Sequence, residues 1–332
     1  MSLPEIKYCP GTLSEGFNTY SRTCLNRLFN GRKVSHILPY TADQVGEQEA
    51  TLFLENRIHI SISGVQEKLS LVLDKNKLRL THPGEQGTYL LKPIPRDLKN
   101  TNQVPANEHL TMQIARQIYG IPTAENALIF FKDGAQAYIT KRFDIKPDGS
   151  KWGVEDFATL AGKTAENAGP DFKYSYSYEG IATLLSRFVP AYMVEIEKFF
   201  KLVLFNYLFS NGDAHLKNFS LLESAGGDYV FSPAYDLINT RLHINDSDFA
   251  LDQGLFSDDV SSRNVRRSGH PTLEDFDEFA RRLHIPENRR QKLWSPFIAL
   301  QPGVETLIQK SFLDEKSKRA YLLHYQTKRN YL

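Results

Sequence analysis

Cysteine is scarce in this sequence, where Cys9 and Cys24 are the only two among 332 residues. Two cysteines cannot form the disulfide framework of a secreted protein, and neither belongs to a CxxC or CxxH pair that would indicate zinc. An excess of one charge is also missing, since 40 Lys and Arg residues face 39 Asp and Glu residues. This balance argues against a strongly basic nucleic-acid-binding protein. We expect reduced thiols in a globular chain.

Long hydrophobic runs are absent as well. The first residues, Met1–Lys7, contain no apolar core, so they do not indicate a secretory signal. The most apolar stretch, 191–209, is interrupted by charged residues, and its longest unbroken apolar run is Leu202–Phe205. A membrane span needs about 20 consecutive apolar residues. The stretch is therefore predicted to be a buried helix, and no membrane contact is expected.

Three regions are predicted along the chain. Residues 1–56 show little pattern and are interpreted as an N-terminal extension. Residues 57–150 alternate in hydrophobicity around one helix that begins near Pro105. In this region, strands are expected at 58–62, 69–73, 78–80, 88–91, 127–131 and 137–143. Residues 151–332 carry mainly helical patterns, at 191–209, 272–284 and 303–326, with a β-like segment at 228–231. The sequence thus predicts an α+β protein with a β-rich N-terminal lobe and an all-helical C-terminal lobe.

The sharpest motif follows the buried helix, where Asp213 precedes Asn218 by five residues. In kinase catalytic loops, an Asp at this spacing accepts or orients the hydroxyl proton of the substrate, and the Asn amide holds a Mg²⁺ ion. Asp236 lies beyond the β-like segment, where a second metal-holding carboxylate is expected. A helix-ending turn capped by Asp and Asn has the same pattern, so the motif is weak on its own.

Other parts of a nucleotide site occur in the order that a kinase requires. The turn Ser61–Lys68 can direct backbone N–H groups and a lysine at polyphosphate oxygens, although Gly64 also fits a β-bulge. Lys92 ends a strand, where a kinase-like lobe places the lysine that pairs with phosphates, and Glu108 in the next helix could bind it. Each residue alone also fits an ordinary surface position, but their ordered conjunction favours a kinase.

Four segments together resemble HipA-type serine/threonine kinase toxins: Ser61–Leu69, Lys141–Asp144, Asp213–Ser220 and Pro233–Asp236. The resemblance runs from about residue 58 to the C-terminus. It implies a two-lobed protein-kinase-like fold and ATP with Mg²⁺ as cofactors. It also implies that the chain is the toxin of a type II toxin–antitoxin system in a bacterial cytoplasm.

The resemblance also implies roles for individual residues. Asp213 becomes the catalytic base, and Asn218 and Asp236 become the Mg²⁺ ligands. The implied nucleotide-binding residues come from the phosphate loop, the strand lysine, the hinge and the catalytic loop: Ser63, Gly64, Val65, Gln66, Glu67, Lys68, Lys92, Lys141, Arg142, Phe143, His215, Leu216, Lys217, Asn218, Tyr235 and Asp236. Family members autophosphorylate a serine of the phosphate loop, which disables ATP binding. Ser61 matches that serine, and Ser63 is a second candidate.

The short N-terminal region implies particular partners. HipA proper carries a further N-terminal subdomain, so this chain looks like the shortened HipT-like variant of a HipBST-type system. That variant implies a HipS-like small protein and a HipB-like DNA-binding antitoxin, with DNA contacted only through the antitoxin. The implied substrate is a cytosolic aminoacyl-tRNA synthetase for glutamate or tryptophan, whose phosphorylation halts translation and growth.

Two alternatives for the function stay open. Aminoglycoside-type small-molecule kinases use the same Asp-x4-Asn spacing, and a non-catalytic regulatory subunit of a repressor complex could retain a nucleotide site. Two further segments are assigned to the surface. Tyr174–Tyr178 is expected to carry ordinary exposed aromatics rather than a substrate surface, and the arginines between 263 and 290 are expected on solvated helix faces rather than on nucleic acid.

Overall fold

A five-stranded antiparallel sheet dominates the N-terminal part of the structure, a computed structural model that describes residues 5–42, 68–95, 99–258 and 269–332. The strands are β1 (Leu69–Asp74), β2 (Lys77–Leu80), β3 (Tyr89–Pro93), β4 (Asn126–Phe130) and β5 (Gln136–Lys141), in the order β2-β1-β3-β5-β4. These five strands confirm the predicted ones. The strand predicted at 58–62 lies outside the described residues.

The two faces of this sheet pack into different hydrophobic clusters. Along β4, Ala127 and Ile129 belong to one cluster, whereas Leu128 and Phe130 belong to the other. Successive strand residues point to opposite faces, so a strand that is buried throughout must be covered on both sides. All five residues of β4 are buried, and the sheet is the middle layer of a three-layer arrangement.

The layers that cover the two faces come from residues before the first strand and from the segment between β3 and β4. Residues 5–42 contain helix α1 (Arg22–Phe29) and contribute Cys24 and other buried side chains to the first cluster. Helix α2 (Val104–Gln117) covers the opposite face, with Pro105 in its first turn as predicted. The described part of the N-terminal extension therefore packs on the sheet. The domain boundaries after residues 56 and 150 stay a prediction.

The C-terminal part is mainly helical. Its helices are α3 (Phe157–Leu160), α4 (Ala165–Ala168), α5 (Tyr178–Phe188), α6 (Tyr192–Leu208), α7 (Leu273–Arg282), α8 (Glu287–Ile298), α9 (Pro302–Lys310) and α10 (Glu315–Tyr331). Helix α6 confirms the predicted buried helix, since eleven of its seventeen residues are buried. The helical stretch predicted over 303–326 is two helices, because Asp314 caps a new start by accepting a hydrogen bond from the backbone N–H of Ser317.

One prediction for this part is wrong, because the C-terminal lobe is not all-helical. A three-stranded antiparallel sheet contains β6 (Val154–Asp156), β7 (Ser220–Glu223) and β8 (Tyr229–Phe231), in the order β6-β7-β8. Leu221 and Phe231 pair across this sheet and are buried in the large hydrophobic cluster. Burial of these two side chains anchors the hairpin to the helical core.

The two parts of the structure are in contact next to Asp236. The backbone N–H of Ala124 donates to the carbonyl oxygen of Ala234 at 2.9 Å, and the N–H of Ala234 donates to Pro122 at 2.8 Å. This bridge fixes the segment before Asp236 against the start of β4. Across the described residues, no helix combines the length and the apolar character that a membrane crossing requires.

Candidate active site

A buried ion cluster joins the two lobes. Lys92, at the end of β3, is 3% exposed, and its Nζ lies 2.6 Å from Glu108 Oε1 on α2. The same Nζ lies 2.5 Å from Asp236 Oδ1 in the C-terminal part. The ion pair between Lys92 and Glu108 confirms the pairing predicted from their order in the sequence. Because Lys92 and Glu108 are both buried, each requires an opposite charge nearby.

The protonation states in this cluster follow from its contacts. Burial would lower the pKa of Lys92, but the charges of Asp236 and Glu108 raise it above its ordinary value. Burial would raise the pKa of Asp236, but the charges of Lys68 and Lys92 hold it well below its usual range. Lys68 Nζ lies 3.6 Å from Asp236 Oδ2. The pKa of Glu108 is raised, since burial outweighs the attraction of Lys92. Asp236 is therefore ionised at neutral pH.

The backbone at Asp236 is held in an uncommon conformation. Its φ of 56° lies in the left-handed region, which Asp tolerates better than most residues with a side chain. The preceding Tyr235 is held against the segment 217–220, since its hydroxyl donates to the carbonyl oxygen of Lys217 at 3.0 Å and lies 2.5 Å from Ser220 Oγ. Residues in such conformations cluster at functional sites, where the surrounding contacts maintain them.

Asp213 is the centre of a second group of side chains, on the loop that follows α6. The hydroxyl of Tyr174 donates to Asp213 Oδ1 at 2.8 Å, and His215 Nε2 lies 3.9 Å from the same oxygen. Burial raises the pKa of Asp213 to about 6, although the hydrogen bond from Tyr174 and the charge of Lys173 oppose the rise. The charge of Asp236 adds to it. Such a carboxyl is ionised at neutral pH and can still accept a proton.

Asn218 is fixed by the same loop. Its side-chain oxygen accepts a hydrogen bond from the backbone N–H of His215 at 3.2 Å, which caps the short 3₁₀ helix Leu216–Asn218. Burial and the charge of Lys173 lower the pKa of His215 to about 3, so its imidazole is neutral. The loop thus presents an amide oxygen five residues after a carboxylate of raised pKa.

The remaining predicted nucleotide-site residues have different surroundings. The Phe143 ring lies 5.8 Å from that of Tyr235, between their centroids. Lys141 donates to the side chain of Asn30 at 2.7 Å. Arg142 binds Asp144 through two hydrogen bonds. Of the three predicted hinge residues, Phe143 therefore packs beside Tyr235, next to Asp236, whereas Lys141 and Arg142 bind Asn30 and Asp144.

Two residues of the predicted catalytic loop have other partners. The side chain of Leu216 is fully buried in the hydrophobic core, and Lys217 Nζ lies 3.0 Å from Asp156 Oδ2. Most of the predicted phosphate loop lies outside the described residues: Ser61, Ser63, Gly64, Val65, Gln66 and Glu67. Of that loop, Lys68 is described. The structure thus joins Lys68, Lys92 and Asp236. Tyr235, which directly precedes Asp236, contacts Lys217 and Ser220.

The expectation of ordinary exposed aromatics at 174–178 is wrong. Tyr174 is half-buried and binds Asp213, while Tyr178 is 1% exposed and donates to the carbonyl oxygen of Ala214 at 3.0 Å. Lys173 Nζ lies 4.8 Å from the centre of the Tyr174 ring, which is a cation–π contact. A cluster of tyrosines is a signal for buried rings with polar tips, but it does not name their partners.

The interpretation of the described arginines near the C-terminus as solvated holds for Arg281 and Arg289, whereas the side chains of Arg282 and Arg290 are mostly buried. Each lies within ion-pair distance of an acidic side chain: Arg281 and Arg282 bind Glu278, Arg289 binds Glu197, and Arg290 binds Asp277. Their charges are compensated locally by these ion pairs. Arg263, Arg266 and Arg267 lie outside the described residues.

Comparison with known proteins finds relatives that are named putative kinases. A putative kinase of Haemophilus influenzae is 25% identical over 331 residues, which cover 95% of this chain and 93% of that protein. A putative kinase of Sinorhizobium fredii is 32% identical over 209 residues, which cover 59% of this chain and 48% of that protein.

A solved structure confirms the two-lobed kinase-like fold. It is that of HipA from Shewanella oneidensis, in a complex with HipB and operator DNA, with a TM-score of 0.61 and 19% identity. The match covers 85% of this chain and 68% of that one. Residues 60–300 match the profile of the HipA-like C-terminal domain. This chain therefore belongs to the HipA-like C-terminal domain family.

Proposed function

We propose that this protein is an ATP- and Mg²⁺-dependent serine/threonine protein kinase, with Asp213 as its catalytic base. One observation carries the proposal: Lys92 bridges Glu108 and Asp236, while Asp213 on the adjacent loop has a raised pKa. A lysine on a strand, a glutamate on the next helix and an Asp-x4-Asn loop are the recurring parts of phosphoryl transfer in protein kinases. Family membership supports the same chemistry.

The residues present fit a magnesium ion. Mg²⁺ prefers oxygen ligands and is usually bound by one or two carboxylates together with substrate phosphates. Asp236 supplies a carboxylate that is ionised at neutral pH, and Asn218 supplies an amide oxygen. In the described part of the chain, no group of three or more His, Cys, Asp or Glu side chains forms a metal cluster of its own. When bound, the ion neutralises charge on the transferring phosphate.

Different side chains then bind the phosphates and accept the proton during phosphoryl transfer. In this structure, Lys68 and Lys92 form ion pairs with Asp236. When ATP is bound, we assign both lysines to contacts with its phosphate oxygens. The oxygen of a serine hydroxyl attacks the terminal phosphorus of ATP, the bond from that phosphorus to the ADP oxygen breaks, and the hydroxyl proton passes to Asp213. A pKa of about 6 suits Asp213 for this transfer near neutral pH.

The biological setting of the proposal follows the family. We assign the chain as the toxin of a bacterial toxin–antitoxin system, acting in the cytoplasm on an aminoacyl-tRNA synthetase for glutamate or tryptophan. A HipB-like DNA-binding antitoxin is supported by the Shewanella complex, which contains HipB. A HipS-like small protein and autophosphorylation at Ser61 or Ser63 complete the proposal for a shortened HipT-like variant.

Intact mass spectrometry tests this function. The purified protein, the variant Asp213→Asn and the exposed control Asp228→Asn are each incubated with Mg-ATP, alone and with the two synthetases. We expect phosphorylation of Ser61 or Ser63 and of one synthetase, with a rate about 100- to 10,000-fold lower in Asp213→Asn and unchanged in Asp228→Asn. Equal phosphorylation by Asp213→Asn would contradict the role of the base. Phosphorylation of an aminoglycoside with no protein acceptor would contradict the substrate class.

A further inference from the structure

The side chain of Asn107 joins α2 to the segment that follows Asp236. It is fully buried and lies one residue before Glu108. Its nitrogen donates to the backbone carbonyl oxygen of Asn239 at 2.8 Å, and its oxygen accepts from the backbone N–H of Asn239 at 3.2 Å. One amide thus binds both backbone groups of one residue, as a paired residue on a neighbouring strand does.

The second N–H of this amide is used as well. The Asn107 side-chain nitrogen lies 2.9 Å from His243 Nε2, and His243 Nδ1 lies 3.0 Å from the carbonyl oxygen of Lys99. A carbonyl only accepts and an amide nitrogen only donates, so a neutral His243 protonated on Nδ1 satisfies both contacts. A flipped amide would set its oxygen against the carbonyl oxygen of Asn239. The hydrogen bonds therefore assign a single orientation to the Asn107 side chain.

The contacts of Asn107 close a ring that includes the buried ion cluster. On one side of the ring, Lys92 Nζ lies 2.6 Å from Glu108 Oε1 and 2.5 Å from Asp236 Oδ1. On the other side, Asn107 holds Asn239, which lies three residues after Asp236. The backbone from Asn107 to Glu108 and from Asp236 to Asn239 completes the ring. The separation of the two carboxylates is therefore fixed by an ammonium and by an amide.

The two carboxylates in this ring carry like charges. The charge of Asp236 raises the pKa of Glu108, so the two groups repel each other when both are ionised. Lys92 offsets this repulsion while its ammonium contacts both. Under the proposed function, Lys92 contacts phosphate oxygens when ATP is bound, which weakens the ionic side of the ring. The hydrogen bonds of Asn107 are uncharged and do not depend on that change.

We propose that Asn107 is a positioning residue for phosphoryl transfer, which keeps Glu108 and Asp236 at a fixed separation while Lys92 contacts the nucleotide. Its effect on the reaction rests on the proposed kinase function, and it acts through the ion cluster rather than on the reacting atoms. A displacement of about 1 Å in a catalytic arrangement can lower a rate by about 100-fold. Loss of the Asn107 hydrogen bonds should therefore be expressed mainly in the rate of transfer.

Kinetics of the variant Asn107→Leu test this role, because leucine keeps the volume of the side chain and removes its hydrogen bonds. Folding is checked by circular dichroism, and Asn107→Ser replaces the leucine variant if that variant does not fold. We expect kcat for phosphoryl transfer to the acceptor of the wild type to fall about 10- to 100-fold. The dissociation constant of a non-hydrolysable ATP analogue should change by less than about threefold.

The matched control is Gln113→Leu, which removes another buried amide from the same helix. Gln113 donates to Asn126 Oδ1 at 3.0 Å, within the N-terminal part of the structure. This control should keep the kcat of the wild type. An unchanged kcat in the folded Asn107 variant would overturn the proposal. An equal loss in Gln113→Leu, or a loss confined to nucleotide binding, would also overturn it.

Chemical denaturation tests the ring without any activity. The background Lys92→Met/Glu108→Gln opens the ionic side of the ring and leaves no unpaired buried carboxylate at position 108. Asn107→Leu should lower the denaturation midpoint less in this background than in the wild type, whereas Gln113→Leu should lower it equally in both. Equal losses for the Asn107 variant would contradict the ring. If the wild type transfers no phosphate, the proposed function fails, and this measurement alone decides whether Asn107 holds the cluster.

Discussion

Asp236 and Asp213 are both largely shielded from solvent, and they have opposite properties. Asp236 lies against Lys68 and Lys92, and their charges hold its pKa well below the usual range. Asp213 accepts a hydrogen bond from the neutral hydroxyl of Tyr174, and burial raises its pKa to about 6. Burial raises the pKa of both groups, so the opposite outcomes come from their partners. A pair of lysines fixes a charge, whereas a phenol orients a carboxylate that can still be protonated.

This difference separates two tasks within one site. A carboxylate that stays ionised is suited to hold a cation, and a carboxylate that titrates near neutrality is suited to move a proton. Their charges also interact, since Asp236 raises the pKa of Asp213. Each of the following predictions changes the surroundings of one of these two aspartates and leaves those of the other in place.

The largest effect on stability is expected when the lysine that contacts Glu108 and Asp236 is replaced. In Lys92→Met, the buried Glu108 loses its cation and Asp236 loses one of two, so the free energy of unfolding should fall by roughly 3–5 kcal/mol. The double variant Lys92→Met/Glu108→Gln should recover part of this loss, because it removes a buried uncompensated charge. Chemical denaturation measures both, with exposed Lys77→Met as the control. A loss below about 1 kcal/mol in Lys92→Met would show that the cluster is not a buried ion network.

A smaller effect on the free energy of unfolding, of opposite sign, is expected when Asp213 is replaced. The folded pKa of Asp213 lies above its unfolded value, so its charged form is penalised in the folded state above pH 6. Asp213→Asn should therefore raise the free energy of unfolding at pH 8 by roughly 1–3 kcal/mol, and this gain should vanish near pH 4. Asp236→Asn should instead destabilise at pH 8, since Lys68 loses its anion and Lys92 loses one of its two anions. If both variants changed the free energy of unfolding at pH 8 in the same direction, the contrast between Asp213 and Asp236 would be wrong.

The smallest effect is expected on the pH dependence of activity, when the hydroxyl of Tyr174 is removed. The proposed mechanism requires ionised Asp213, so kcat/KM for ATP should fall tenfold per pH unit below about pH 6. Tyr174→Phe removes a hydrogen bond that lowers the pKa, so this acid limb should move up by about one pH unit, with little change at pH 8. Tyr176→Phe removes a hydroxyl from the same segment and should leave the limb in place. An unshifted limb in Tyr174→Phe would contradict this role of Tyr174.

Local patterns in the sequence predict much of the fold. The alternation around 69–73, the turn before Lys77 and the apolar stretch at 191–209 each correspond to an observed element. These elements are encoded by residues that are close in sequence, so their period identifies them. The order of Lys92 and Glu108 predicts their contact for the same reason, since strand and helix are consecutive.

Contacts between distant segments are less accessible from the sequence. Tyr174 precedes Asp213 by 39 residues, and the packing of residues 5–42 on the sheet joins segments about a hundred residues apart. Neither segment has a periodic pattern that names its partner. In the small sheet, β8 lies within the predicted β-like segment 228–231, whereas β6 and β7 are not predicted because they have only three and four residues.

Carboxyl NMR tests the central comparison most directly. In protein labelled with ¹³C at the aspartate side chains, the resonance absent from Asp213→Asn identifies Asp213, and the one absent from Asp236→Asn identifies Asp236. We predict that the Asp213 resonance titrates near pH 6 and that the Asp236 resonance shows no titration of its own between pH 5 and 8. An Asp213 that titrates near pH 4, or an Asp236 that titrates in the neutral range, would contradict the division between a fixed charge and a proton acceptor.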